Sequence, residues 1–201
     1  MGGEVLKIYI YPLGGISKFR FDLNISIFKE FLILIFGPIF QFIAYYILIN
    51  ILKDYYSLIT AYHYGILFFN LLPIYPLDGG KIVNLLLSIF ISYKNSLFYT
   101  IFISFIMLMI LLITGFFYNY LTLNFIVIIL FLLYKMIFEY RQINFLYERF
   151  LLERYLNRYN FKRSSIVFDI DSFKRDRRHL VKIDDKYYLE HDLLEKKYKN
   201  H

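Results

Sequence analysis

The sequence contains no cysteine in its 201 residues, which excludes disulfides and thiolate zinc sites. Acidic residues almost vanish from its middle: between positions 31 and 138 only Asp54 and Asp78 remain. Proline is scarce, and of the four present, Pro73 and Pro76 lie three positions apart. No internal repeat and no low-complexity linker interrupts the chain. No signal peptide is expected, because the first apolar block begins near Phe31, too late and too long for one.

What is present is apolar surface in blocks. Hydrophobic residues make up 59% of the chain and the mean hydropathy is +0.50. Soluble domains sit nearer 45–50% apolar, so the sequence reads as an integral membrane protein. Four blocks are long enough to cross a core of roughly 30 Å: Phe31 to Leu52, Ser57 to Leu77, Leu97 to Phe117 and Leu121 to Phe138. Gly37-Pro38 inside the first predicts a kink or close helix packing. Lys81 to Ile91 is apolar but short, and reads as a half-helix. Before the first block, alternation around Gly14-Gly15 predicts two short strands about a Pro-Leu-Gly-Gly turn.

The expected fold class is therefore an all-α polytopic membrane protein, with about four crossings and a broken half-helix. It carries a short N-terminal β segment and a small α+β tail. Its parts are residues 1–29, the β segment; 30–140, the membrane core; and 141–201, a basic tail. Fifteen of the 23 Lys and Arg lie from Arg141 to Lys199. Basic residues alternate rich and poor between loops, which predicts both termini in the cytoplasm. The tail charge is read as facing anionic lipid, and no nucleic-acid partner is expected. Within it, residues 139 to 160 suggest a charged amphipathic helix, with Phe145, Phe150, Leu152 and Leu156 among Arg and Glu. Residues 165 to 190 suggest strands, with Asp184-Asp185 as a hairpin turn. His179, His191 and His201 are expected to be solvated. His63, seven residues before Asn70 and on its helix face, is expected to hydrogen-bond between helices.

Residues 70 to 82, NLLPIYPLDGGKI, concentrate the chemistry. A membrane-embedded Asp costs roughly 2.5–3.5 kcal/mol at mid-depth and calls for a partner. On the plainest account Asp78 is a helix N-cap, Pro73 and Pro76 end a helix, and Asn70 bonds a neighbouring helix. Taken together, they describe a polar cavity. Two prolines unwind the chain, Gly79 and Gly80 admit another backbone, and one carboxylate points inward.

This stretch resembles the Asn-Pro-Asp-Gly motif of the site-2 proteases, the intramembrane zinc metalloproteases, carried here by Asn70, Pro73, Pro76, Leu77, Asp78, Gly79 and Gly80. IYPLGGISKF at 10 to 19 and GPIFQF at 37 to 42 are similar to two further elements of the stage IV sporulation protein FB branch. The resemblance implies a bacterial multi-pass metalloendopeptidase of regulated intramembrane proteolysis. It would cleave a membrane-associated protein near the cytoplasmic face, with a membrane regulatory partner a further expectation. It implies Asp78 as a zinc ligand, Asn70 as the substrate or oxyanion contact, and Pro73, Pro76, Gly79 and Gly80 as the shaping turn. The family's H-E-x-x-H, which supplies two His ligands and the general base, is absent. Its place would be just upstream of Met1, so an N-terminal truncation is expected, and no cleavage by these residues alone. The alternatives are a pseudoprotease that holds a membrane client, or a small transporter with Asp78 as coupling carboxylate.

Overall fold

The computed structural model of the protein describes residues 4–11, 14–20, 23–120, 122–157 and 159–199. Strand β1 (Glu4–Tyr11) pairs antiparallel with β2 (Gly14–Arg20), from Glu4 opposite Arg20 to Tyr11 opposite Gly14. Both predicted strands are present. Pro12 and Leu13 of the predicted turn lie outside the described residues.

Among the described residues, three helices are long and apolar enough to cross a membrane: α1 (Ile27–Ile51), α4 (Tyr93–Phe117) and α5 (Leu123–Leu156). Helix α1 buries none of its residues inside the protein, as expected where lipid replaces water as the solvent. The second expected crossing is shorter than its apolar block. Helix α2 (Tyr56–Leu71) has 16 residues, about 24 Å at 1.5 Å per residue. It stops at Leu71 because Pro73 disfavours the helical region for Leu72, which takes ψ 137°. The expected half-helix is α3 (Asp78–Phe90), which begins three residues before Lys81. A bent segment at 72–77 thus separates α2 from α3.

The amphipathic helix expected at 139–160 is present as far as Leu156, as the continuation of the fourth apolar block. Helix α5 runs unbroken for 34 residues. Nothing between Leu123 and Leu156 stops a helix, since the stretch holds neither Pro nor Gly. Its far half carries the C-terminal module. There β3 (Ser164–Val167) lies parallel to β4 (Arg178–Ile183), which pairs antiparallel with β5 (Lys186–Leu189) before α6 (Glu190–Lys199). Asp184 and Asp185 adopt φ 47° and 62°, the left-handed pair that a two-residue hairpin requires. The module's core sets Phe150 and Leu151 of α5 against Phe173, Val181 and Leu194, all fully buried.

Residues 173–177 fasten this module to the membrane helices. The Asp176 Oδ2 accepts from the Ile27 amide at the start of α1 (2.8 Å), and Arg175 pairs with Glu30. Lys174 and Arg177 donate to the Phe90 and Ile89 carbonyls at the end of α3 (2.6 and 3.3 Å). The Tyr93 amide donates to the Phe173 carbonyl. Orphan groups at the termini of three helices are satisfied by one stretch of chain.

Candidate functional site

The bent segment is anchored at its middle. Ile74 is wholly buried among Leu108 of α4 and Ile129, Leu132 and Met136 of α5. The Ile74 amide donates to the Leu72 carbonyl (2.7 Å), and the Leu77 amide to the Ile74 carbonyl (2.8 Å). The Tyr75–Pro76 bond is cis. The Tyr75 amide donates to Ser104 Oγ (2.9 Å), so every amide N–H from 72 to 77 has a hydrogen-bond acceptor.

Gly79 and Gly80 carry the closest approach. A Cβ on Gly79 would lie 2.2 Å from the Leu71 carbonyl oxygen and 2.3 Å from that of Leu72. One on Gly80 would lie 2.6 Å from the Tyr75 nitrogen. The start of α3 therefore rests on the end of α2 backbone against backbone, a contact only glycine allows.

That contact presents Asp78. The residue is not the N-cap: Leu77 occupies that position, and Asp78 is the first helical residue. Its carboxylate sits in the positive field of the α3 N-terminus. Its side chain is 30% exposed, and Oδ1 lies 3.4 Å from Lys81 Nζ. The other oxygen faces α1, where a Cβ on Gly37 would stand 3.5 Å from Oδ2. That is ordinary contact distance, so the space does not require glycine at 37, and α1 continues through Pro38. Asn70 lies in the last turn of α2, partly buried, and Pro73 and Pro76 bracket the anchored Ile74.

His63 is buried at the α1–α2 contact, but its imidazole is held by rings. It stacks on Tyr45 at 4.2 Å and meets Phe42 edge-on at 4.8 Å. Its Nε2 has no hydrogen-bond partner among the described residues. The interhelical hydrogen bond at this position runs instead from Gln41 Nε2 to the His63 backbone carbonyl (2.9 Å). No group of three His, Asp or Glu residues able to hold a metal occurs among the described residues. A zinc site needs three protein ligands, and Asp78 alone does not fit one.

A polar ladder behind the loop escaped the sequence reading. Ser96, Thr100 and Ser104 recur every four residues along α4, all buried. Ser88 of α3 donates to Ser96 Oγ (3.0 Å), Asn84 donates to Thr100 Oγ1 (3.2 Å), and Ser104 receives Tyr75. The fourfold spacing of small hydroxyls in an apolar helix was the available signal.

The C-terminal module holds the densest charge network. Arg154, with 1% of its side chain exposed, donates to Glu190 Oε1 (2.8 Å), to the Lys174 and Arg177 carbonyls, and to Asn24 Oδ1 (2.6 Å). His179 is buried here, not solvated, because it stacks on Phe173 at 4.5 Å under the sheet. His191 is exposed, and His201 lies outside the described residues. The Lys174 amide donates to His179 Nε2 (2.9 Å), which leaves the proton on Nδ1, 3.2 Å from Glu190 Oε2. Burial pushes the His179 pKa below its usual value, against the pull of Glu190. Burial would raise the Glu190 carboxyl, but His179 and Arg154 outweigh it and hold it below the ordinary range.

With this geometry described, two similarities bear on it. Residues 50–114 match the family model described as Peptidase family M50. The chain is also 35% identical over 91 residues to the stage IV sporulation protein FB of Bacillus subtilis (strain 168). That match covers 42% of this chain and 32% of the relative, so the chain spans about a third of the relative's length.

Proposed function

Because residues 50–114 form a segment of the site-2 protease family, we propose that this chain is the membrane scaffold of an intramembrane metalloprotease site, with Asp78 as its carboxylate ligand. The observation that carries this reading is the state of Asp78. It is presented between α1 and α3 by two obligatory glycines, yet its only ion pair among the described residues is a long one to Lys81. A carboxylate bought for packing would be saturated, as Glu190 is. Asn70, in the turn that leads into the bend, is assigned the substrate or oxyanion contact. Pro73, Pro76, Gly79 and Gly80 are assigned to shaping the bend. Bound zinc would supply an acidified water and a Lewis acid for peptide hydrolysis.

The ligand set of these residues is incomplete, so no step is routed through the metal. The 201 residues contain no H-E-x-x-H and are expected to cleave nothing alone. The client class is a membrane-associated protein engaged near the cytoplasmic face of a bacterial membrane. The basic count of the tail supports cytoplasmic termini. The α2–α3 hairpin, short and bent, would complete the fourth crossing.

The test is the purified 201-residue chain, reconstituted in vesicles with a membrane-anchored reporter and zinc. We expect an intact reporter. Cleavage that is lost in Asp78→Asn overturns the expected inactivity and leaves the ligand assignment standing. Cleavage that survives Asp78→Asn overturns both. The second reading, a non-catalytic client holder, is favoured by the single-ligand donor set. It predicts a co-purifying membrane partner that is retained in Asp78→Ala.

A further inference from the structure

Two cavities lined by α4 and α5 adjoin at Phe98 and Tyr140. The inner one, beside the apolar stretches of α4 and α5, has a volume of about 270 Å³ and only apolar or aromatic walls, among them Phe98, Phe102, Phe105, Leu133, Ile137 and Tyr140. The outer has a volume of about 320 Å³ and is lined by Lys94, Asn95, Arg141 and Asn144, together with Phe98 and Tyr140. The shared pair, with ring centroids 6.3 Å apart, makes one groove of the two. We propose that this groove binds a single anionic phospholipid, its acyl chain between α4 and α5 and its phosphate on Arg141.

The position along the helices supports this occupant. Lys94 is the second residue of α4, and Arg141 follows the last apolar turn of α5. The change from oily wall to basic rim therefore falls where a bilayer changes from acyl chain to headgroup. The charge at the rim is unequal. Lys94 is taken by Asp171 at 2.6 Å and lies over the Tyr147 ring. Arg141 is exposed and has no hydrogen bond or ion pair among the described residues. Its planar fork is thus available to two phosphate oxygens, with the exposed Asn95 and Asn144 amides beside it. A free phosphate would use only the outer cavity, and a detached hydrocarbon chain only the inner one. A phospholipid uses both, and basic pockets between spanning helices on this leaflet take anionic headgroups. The groove lies away from Asp78 in the sequence of elements, and the proposal stands without the protease reading.

The chain has no tryptophan, so Ile137→Trp places one reporter in the groove at a site already 55% exposed. This variant of the full chain is reconstituted in phosphatidylcholine vesicles with dibrominated phosphatidylglycerol or dibrominated phosphatidylcholine at equal fraction. We expect quenching to report roughly fivefold higher occupancy by the anionic lipid at low salt, falling as salt rises. Arg141→Gln should bring the two lipids level, and Arg141→Lys should keep part of the preference. Equal quenching in the parent overturns the proposal, as does a preference that survives Arg141→Gln. Weak quenching by both lipids, the result if a protein segment fills the groove, overturns it too. Displacement of the anionic preference by inorganic phosphate alone would assign the rim to free anion and overturn the lipid.

Discussion

Asp78 and Glu190 are both carboxylates at the start of a helix, α3 and α6, and the protein treats them in opposite ways. Glu190 accepts from Arg154, from the His179 amide and from the His179 ring, inside a module whose core is fully packed. Among the described residues Asp78 has one long ion pair, to a half-exposed lysine, and its other oxygen lies against Gly37 of α1 with no hydrogen bond between them. The first arrangement is what a fold does with charge it must bury. The second leaves binding capacity unspent in the part of the molecule where charge is costliest.

The comparison breaks most sharply at Arg154. Arg154→Ala strands Glu190, Asn24 and two carbonyls, and should cost about 3–5 kcal/mol, read as loss of the cooperative unfolding transition of the module. Gly79→Ala comes next. Its methyl meets two carbonyl oxygens that no rotamer can move, so a loss of about 3 kcal/mol or more is expected, read as a lower detergent melting temperature. Acidification should separate the two regions without mutation. His179 and Glu190 both hold fewer protons folded than unfolded, so stability is present at neutral pH and is lost as pH falls below the ordinary histidine value, about 6.5, and onward through the carboxylate range. Protonation of Nε2 also ejects the Lys174 amide. Hydrogen exchange should therefore quicken first in β4 and at 173–177, while α4 stays protected. The smallest effect is expected from Asp78→Asn. Its ion pair is partly exposed, so stability should change by less than about 1 kcal/mol, measured by the same melting assay. A large loss there would make Asp78 structural and dissolve the contrast.

Much of this was legible in the chain. Apolar blocks located the helices, because in lipid every backbone group must bond within its own segment. Pro73 placed the end of α2, and Asp184-Asp185 placed the hairpin. What was not legible depended on partners distant in sequence. The burial of His179 follows from Phe173 and Arg154, and the fastening at 173–177 joins residues up to 150 positions apart. The union of the fourth apolar block with the charged stretch after it was hidden by the change from lipid to water along one helix. Periodicity registers that change as a boundary, but the backbone does not.

One of those distant bonds also has a cost in time. The first amide of α1 is capped by Asp176, which enters the chain 149 residues later. At about 5–20 residues per second, the ribosome needs roughly 7 to 30 s to deliver it. For that interval the start of α1 stands open, and the end of α3, whose partners follow 84 and 88 residues later, for little more than half as long; the arrival of residues 173–177 is the event that completes helices made long before.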